Sequence, residues 1–150
     1  MVAEESLITE EMKQAVNVPS EPVTYEIERG LIKQFAQSIS DPNPLWQDEV
    51  KARETRNGGI VAPPTFLRTC TPRDLKRLPY MDGLGLDGGS EWTYYRSVRP
   101  GDSVTVTQRI TSFVQKNSSR GPMLIETAET SYKNQYDELV ATQATVGIYY

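Results

Sequence analysis

Asp41, Asn43 and Trp46 stand close together in the stretch SDPNPLWQDEVKA, residues 40–52. A carboxylate such as Asp41 can act as a general base, and Asp and Asn can equally cap the short helix that follows. Trp46 carries an indole N–H, which only donates and cannot accept a proton at neutral pH. The chain has no histidine at all, so Ser-His-Asp and Cys-His chemistry within it are excluded. Any catalysis by this chain falls to Asp, Glu, Tyr or Lys, or to a residue from another chain. The single cysteine, Cys70, excludes an intramolecular disulfide and a cysteine-rich metal site, and no metal or cofactor is expected.

These residues must be positioned by a fold, and 150 residues suffice for one domain with a genuine core, read here as a single α+β domain over 1–150. A hydrophobic fraction of 37% with 24% charged residues places the chain among globular rather than disordered sequences. The net charge of −4 argues against general nucleic-acid binding, which requires clustered Lys and Arg. Basic residues gather locally at Arg68, Arg73, Lys76 and Arg77. They suit either a solvated helix face, the plainer reading, or the steering of a phosphorylated ligand. No apolar run reaches the length of a membrane span, and the acidic N-terminus is not a signal peptide. No membrane contact is expected, and the expected location is cytoplasmic.

Residues 4–15 predict a short amphipathic helix with Leu7, Ile8, Met12 and Ala15 on one side. Alternation at Val23, Tyr25 and Ile27 predicts a first strand. Leu31, Ile32, Phe35 and Ile39 fall at helical spacing over 30–39, and the helix must stop before Asp41-Pro42. A further short helix is expected over 45–54, then a turn at Asn57-Gly58-Gly59. Pro63 and Pro64 mark the start of an apolar helix over 62–70, which Pro72 ends, leaving Arg73–Leu78 as a separate turn. The glycine-rich segment 81–91 reads as a flexible loop. From residue 91 onward the pattern is β: EWTYYRSV at 91–98, a type II turn at Pro100-Gly101, and alternation at Val104, Val106 and Ile110. Further strands are expected over 123–132 and 139–150, joined by a turn at 134–138. Short turns between long strands predict an antiparallel sheet with the 62–70 helix covering one face.

The stretch 40–52 resembles the hydratase motif of MaoC-like (R)-specific enoyl-CoA hydratases, Gly-Asp-x-Asn-Pro-aliphatic-His, then five residues and a small one. Ser40, Asp41, Asn43, Pro44, Leu45 and Ala52 occupy the matching positions, and Trp46 stands at the histidine position. GGIVAPPTF (58–66), YRSVRPGDSVTV (95–106) and NQYDELVATQATV (134–146) resemble the N-terminal MaoC-like, or FAS1-like, dehydratase domain family. The likeness covers roughly residues 6–150. It implies a hotdog fold, an antiparallel sheet wrapped around a central helix. In active members a paired Asp and His activate water for addition to an enoyl thioester, and a backbone N–H at the start of the central helix stabilises the enolate oxygen.

Both requirements fail in this sequence. Trp46 removes the base, leaving Asp41 without its partner. Pro63-Pro64 matches the His-Gly pair of the active relatives, and proline has no N–H to donate. A one-residue shift in that match puts a donor at Thr65. Losing one such donor costs about 10²–10³ in rate and losing the base about 10²–10⁴ more. The catalytic residues therefore read as a vestigial site of Asp41, Asn43 and Trp46. Trp46 reads as packing in the old pocket or at a subunit contact, with ligand stacking as the alternative.

MaoC-like domains work as double hotdogs, and the resemblance implies the non-catalytic half of such a pair. This chain would then be the substrate-accommodating subunit of a heteromeric enoyl-CoA hydratase. It would act on fatty-acyl or steroid side-chain thioesters, carried by CoA or by an acyl-carrier protein, beside a second MaoC-like subunit holding Asp and His. Pro63, Pro64, Thr65 and Phe66 are the expected wall of its acyl tunnel, with room left by the broken helix and the glycine loop. Arg96 and Arg99 either meet a CoA phosphate or are solvated. Trp92, Tyr94 and Tyr95 read as sheet-face and interface aromatics, and Tyr149 and Tyr150 carry no assigned chemistry. A homodimeric acyl-thioester binding module without catalysis is the alternative. A third reading keeps Asp41 as lone base with Tyr25 or Tyr95 as acid.

Overall fold

The computed structural model describes residues 6–72 and 78–150. The expected turn at 73–78 and the basic residues Arg73, Lys76 and Arg77 therefore fall largely outside the described residues. The elements run α1 (Glu10–Ala15), β1 (Val23–Glu26), α2 (Arg29–Ser38) and α3 (Glu49–Arg53), then β2 (Gly85–Tyr94), β3 (Ser103–Ser118), β4 (Gly121–Lys133) and β5 (Leu139–Tyr149). Short 3₁₀ segments cover Pro44–Trp46, Pro64–Thr69 and Pro79–Asp82. One five-stranded sheet has the order β1-β3-β4-β5-β2, every pair antiparallel. The helical segments pack on one face of it, which is the α+β hotdog arrangement.

Strand alternation decides which face is buried. Val104 and Val106 of β3, Leu124, Ala128, Thr130 and Tyr132 of β4, and Ala141 and Gln143 of β5 point inward. They meet Ile32 of α2 together with Phe66, Leu67 and Cys70. A second cluster, at the other end of the same face, joins Met12 of α1 to Leu78 and Leu124. Thr9 caps α1, accepting the Met12 N–H at 3.2 Å. Ile8 and Ala15 pack beside Met12 as expected, but Leu7 is exposed. Leu31 and Ile39 are exposed as well, so α2 buries only the stripe through Ile32, Phe35 and Ala36.

Three segments depart from what the sequence predicts. The central apolar segment is a six-residue 3₁₀ turn, Pro64–Thr69, and not an α-helix. Pro63 and Pro64 remove early donors, and Pro72 forces the chain out of helical geometry, so too few residues remain to propagate an α-helix. The helix expected over 45–54 is split at Gln47, because Asp48 caps a new helix by accepting from Val50 and Lys51 N–H.

The glycine-rich run 81–91 is not a loop beyond Leu84. Gly85–Tyr94 forms the edge strand β2, paired with β5 and bulged between Asp87 and Gly89. A Cβ on Gly88 would lie 2.9 Å from Val146 Cγ1 and 3.0 Å from its carbonyl oxygen, so the glycine lets two backbones approach. The room for an acyl chain that a glycine loop would have left is therefore filled by sheet. The turn at Pro100-Gly101 forms as predicted, with Gly101 at φ 91° and Asp102 N–H donating to Arg99 O at 3.1 Å.

Candidate functional site

The segment carrying Asp41 is set by the end of α2. Asp41 N–H donates to Ala36 O at 2.9 Å and Ser40 N–H to Gln37 O at 3.0 Å, a Schellman closure that requires a left-handed residue. Ser40 supplies it at φ 55°. The chain reverses there and directs the Asp41 carboxylate toward the following 3₁₀ turn. Oδ1 accepts the Asn43 N–H at 3.0 Å, and Oδ2 accepts the indole Nε1–H of Trp46 at 2.8 Å. Gln47 Nε2 donates to the Asp41 carbonyl at 2.9 Å. Asn43 does cap the turn, accepting from Leu45 N–H at 3.0 Å; Asp41 serves the loop instead.

Trp46 is half-buried against the core and forms part of the wall of a cleft of 370 Å³. Leu45, Pro63, Pro64 and Leu67 line the same side, and Tyr94, Tyr95 and Arg96 come from the end of β2 and the segment after it. Arg56 joins them from the turn after α3. Asp41 does not line the cleft. Trp46, whose indole N–H donates to it, lines the cleft instead.

Of the expected tunnel residues, Pro63 and Pro64 line this cleft. Thr65 is exposed and lines neither it nor the second cavity. Phe66 lines a separate cavity of 440 Å³ between β1, α2 and the central turn, with Tyr25, Ile27, Leu31, Phe35 and Cys70. Phe35 and Phe66 meet there edge to face at 5.6 Å. The central turn thus separates two spaces: Pro63 and Pro64 line one, Phe66 lines the other, and Thr65 lines neither. Burial pushes the Cys70 thiol up, which keeps it protonated and inert.

The first intrahelical bond of the central turn is Phe66 N–H to Pro63 O at 2.9 Å, so the Thr65 N–H stands ahead of the ladder. Tyr25 and Tyr95, the two candidate acids, are not brought together. The Tyr25 hydroxyl donates to Thr71 O at 2.6 Å beside the second cavity, while Tyr95 lies at the cleft. Arg99 is held at its turn, its N–H donating to Asp102 Oδ2 at 2.8 Å, and does not line the cleft.

Two groups escape sequence reasoning. Arg56 reaches the cleft only through the folding of its turn against the end of β2, and no local pattern signals it. Glu126 sits on the inward face of β4 and accepts the hydroxyl of Tyr80, whose ring packs between Phe113 and Tyr149. Burial raises the Glu126 carboxyl above the ordinary carboxylate value, opposed by the Tyr80 hydrogen bond. The Tyr80 hydroxyl is raised in turn, by burial and by Glu126. Its signal was available: Glu126 interrupts an inward series of Leu124, Ala128, Thr130 and Tyr132.

Among the described residues, no cluster of side chains could hold a metal ion, and no helix is long and apolar enough to cross a membrane. The family model for the FAS1-like dehydratase domain region matches residues 14–143. A UPF0336 protein of Streptomyces avermitilis is 36% identical over 100 residues, 63% of this chain and 65% of its own length. A probable enoyl-CoA hydratase alpha subunit of Thermomonospora curvata is 26% identical over 132 residues, covering 75% of this chain but 41% of that protein. Among solved structures, the ChsH1-ChsH2 complex from Mycobacterium tuberculosis superimposes with TM-score 0.75 at 24% identity. That match covers 87% of this chain and 83% of the other. A MaoC-like dehydratase from Rhodospirillum rubrum gives TM-score 0.71 at 27% identity, covering 90% and 92%.

Proposed function

The chain belongs to the FAS1-like dehydratase domain region family, and from that premise we propose that it is the non-catalytic, substrate-accommodating subunit of a heteromeric enoyl-thioester hydratase. One observation carries the proposal: the Asp41 carboxylate accepts the Trp46 indole N–H at 2.8 Å. The residue at the histidine position is thereby tied to Asp41 as a hydrogen-bond donor, and it cannot itself take a proton. The absence of histidine from the sequence extends the argument to the whole chain. Pro63 and Pro64 at the expected oxyanion position carry no N–H, so an enolate donor from this turn would fall to Thr65.

What remains is binding space. The cavity of 440 Å³ lined by Ile27, Phe35 and Phe66 suits an acyl tail, fatty or steroid-derived, and the cleft at Trp46 suits the thioester's carrier. Leu84, Leu86, Tyr94 and Tyr95 on or beside the edge strand β2 are exposed, which favours a partner there. That partner would be a second MaoC-like hotdog subunit bearing the intact Asp and His. The relatives support this reading by their own descriptions, a hydratase alpha subunit and a two-component complex. Residues 1–150 act in it as one hotdog domain, placed in the cytoplasm.

The test is reconstitution. This chain is purified alone and together with a MaoC-like chain encoded beside it, and hydration of crotonyl-CoA and longer enoyl-CoA is followed. Background activity alone, activity from the pair, and no loss on Asp41→Asn in the pair are expected. Full activity from this chain alone overturns the proposal. Activity abolished by Asp41→Asn in a folded pair would place the base here. Binding of acyl thioesters without activation of any partner would favour the homodimeric binding module.

A further inference from the structure

We propose that the outer face of the sheet is an interaction surface on which a second copy of this chain packs, about a two-fold axis running along the strands. The surface is distinct from the open edge of β2 and does not depend on the subunit reading above.

An antiparallel sheet covered on one side is expected to present polar side chains on the other. Half of this sheet does. Thr107, Ser131 and Thr142 form one outward row, and Arg109, Glu129, Ala144 and Glu91 form the next. The other half does not. Val114, Ile125, Ile148 and Leu86 stand in register across β3, β4, β5 and β2, an outward row of four apolar side chains. Val146 and Met123 border it on either side. Both apolar clusters and the helical segments lie on the inner face, so nothing covers this row among the described residues. Val114 and Leu86, at its two ends, are 44% and 43% exposed. A single exposed Val or Ile is ordinary in a strand, but four abreast make a contiguous patch.

The order of charges fits this face to itself. In the row Arg109, Glu129, Ala144, Glu91 a cation stands at one end and an anion at the other. A two-fold axis along the strands reverses the row, setting Arg109 opposite the second copy's Glu91 and Glu129 opposite its Ala144. The same operation lays the apolar row on itself, Val114 against Leu86 and Ile125 against Ile148. Arg109 donates to Glu129 at 3.0 Å within the chain, both side chains being nearly half exposed, and its guanidinium keeps donors for a second carboxylate. Sheets stacked with aligned strands pack in this way about 10 Å apart. Four strands at about 4.8 Å spacing, over the length from Met123 to Ser131 at about 3.4 Å per residue, give a plane of about 600 Å² per copy. Two copies cover about 1,200 Å², where specific interfaces begin. Strand addition at the edge of β2 uses backbone groups in the plane of the sheet, whereas Leu86 and Glu91 project normal to it. A hotdog partner at the edge and a second copy on the face are therefore compatible.

The test is the self-association of this chain, alone and in the reconstituted pair, followed by sedimentation velocity, with circular dichroism to confirm folding of each variant. Val114→Lys should weaken association of copies at least roughly ten-fold, since it buries an unpaired charge against Leu86. Arg109→Glu should weaken it roughly ten- to a hundred-fold, and adding Glu91→Arg should restore it. Within one chain Arg109 and Glu91 are three strand spacings apart, roughly 14 Å, so that rescue arises only between copies. Leu86→Cys combined with Val114→Cys should give a disulfide-linked dimer on oxidation, and the native Cys70 is buried and does not compete. Self-association indifferent to Val114→Lys, or absent from both the chain and the pair, overturns the surface. Failure of Glu91→Arg to rescue Arg109→Glu overturns the two-fold arrangement. An active pair that stays one-to-one at every concentration refutes the surface and spares the subunit reading. Association lost on Val114→Lys in a chain that activates no partner supports the surface and refutes the subunit reading.

Discussion

Substituting Trp46→Phe and Asp41→Ala, singly and together, measures whether the indole and the carboxylate hold each other in the folded chain. The bond between them is 2.8 Å from an N–H to a charged oxygen at a half-buried position. Such bonds contribute about 1.5–3 kcal/mol, and partial exposure places this one at about 1.5 kcal/mol. Trp46→Phe should lose that bond plus about 1 kcal/mol for the smaller ring against the core. Asp41→Ala should lose the same bond, together with about 0.5–1 kcal/mol for the exposed acceptor of the Asn43 N–H. Each single variant is thus expected to be destabilised by about 2–2.5 kcal/mol, and the double variant by about 3–3.5 rather than 4–5. Urea unfolding followed by far-ultraviolet circular dichroism resolves this, since slopes of about 1–3 kcal/mol per molar turn such differences into clear shifts of midpoint. Additivity to within about 0.5 kcal/mol would refute the reasoning, because it would show that the indole and the carboxylate do not hold each other.

Ser40→Gly should stabilise the chain by about 0.5–1 kcal/mol in the same assay, because Ser40 holds a left-handed conformation at φ 55° that glycine adopts without steric cost. Gly88→Ala should destabilise it by about 1–3 kcal/mol, since the added methyl would meet Val146 side chain and carbonyl at about 3 Å. The raised Glu126 carboxyl makes the folded state the better proton binder, so this group's contribution to stability is fully present below the ordinary carboxylate value and is lost as pH rises through the raised one. Glu126→Gln, which keeps an acceptor for Tyr80, should flatten that decline and raise the midpoint at neutral pH; an unchanged pH profile would refute the assignment.

How far the site could be read from sequence depended on whether its parts lie in one segment. The motif positions of Asp41, Asn43 and Trp46 were legible because they lie in one segment; the hydrogen bond between Asp41 and Trp46 was not, since the motif alone left Asp41 without a partner. Strands β3 to β5 were legible from alternation, since each presents one face to the core. Of the edge strand β2 only residues 91–94 were, inside the β pattern expected over 91–98, while 85–90 read as loop. Its glycines signal a loop in one dimension, and their reason is the approach of β5 at Gly88, a contact between residues far apart in sequence. The separation of Pro63 and Pro64 from Phe66 into two spaces, with Thr65 in neither, was hidden for a different reason. An α-helix and a 3₁₀ turn rotate successive side chains by different angles, and the prolines that signalled a helix start also prevented an α-helix from forming.

The departures at Trp46 and at Pro63-Pro64 belong to one surface. Both line the same cleft, so the residue at the histidine position and the prolines at the expected oxyanion position border one space. A single inactivating change would have left the other half of a catalytic apparatus intact and solvated. On the proposed non-catalytic reading, ring side chains stand at both positions, and they lose little conformational entropy on contact with a ligand. Trp46→His should therefore restore no hydration by this chain, because imidazole at that position would still face prolines that cannot stabilise an enolate. Hydration of crotonyl-CoA by the purified variant is the measurement, and a rate above background would show that the wall retains a donor.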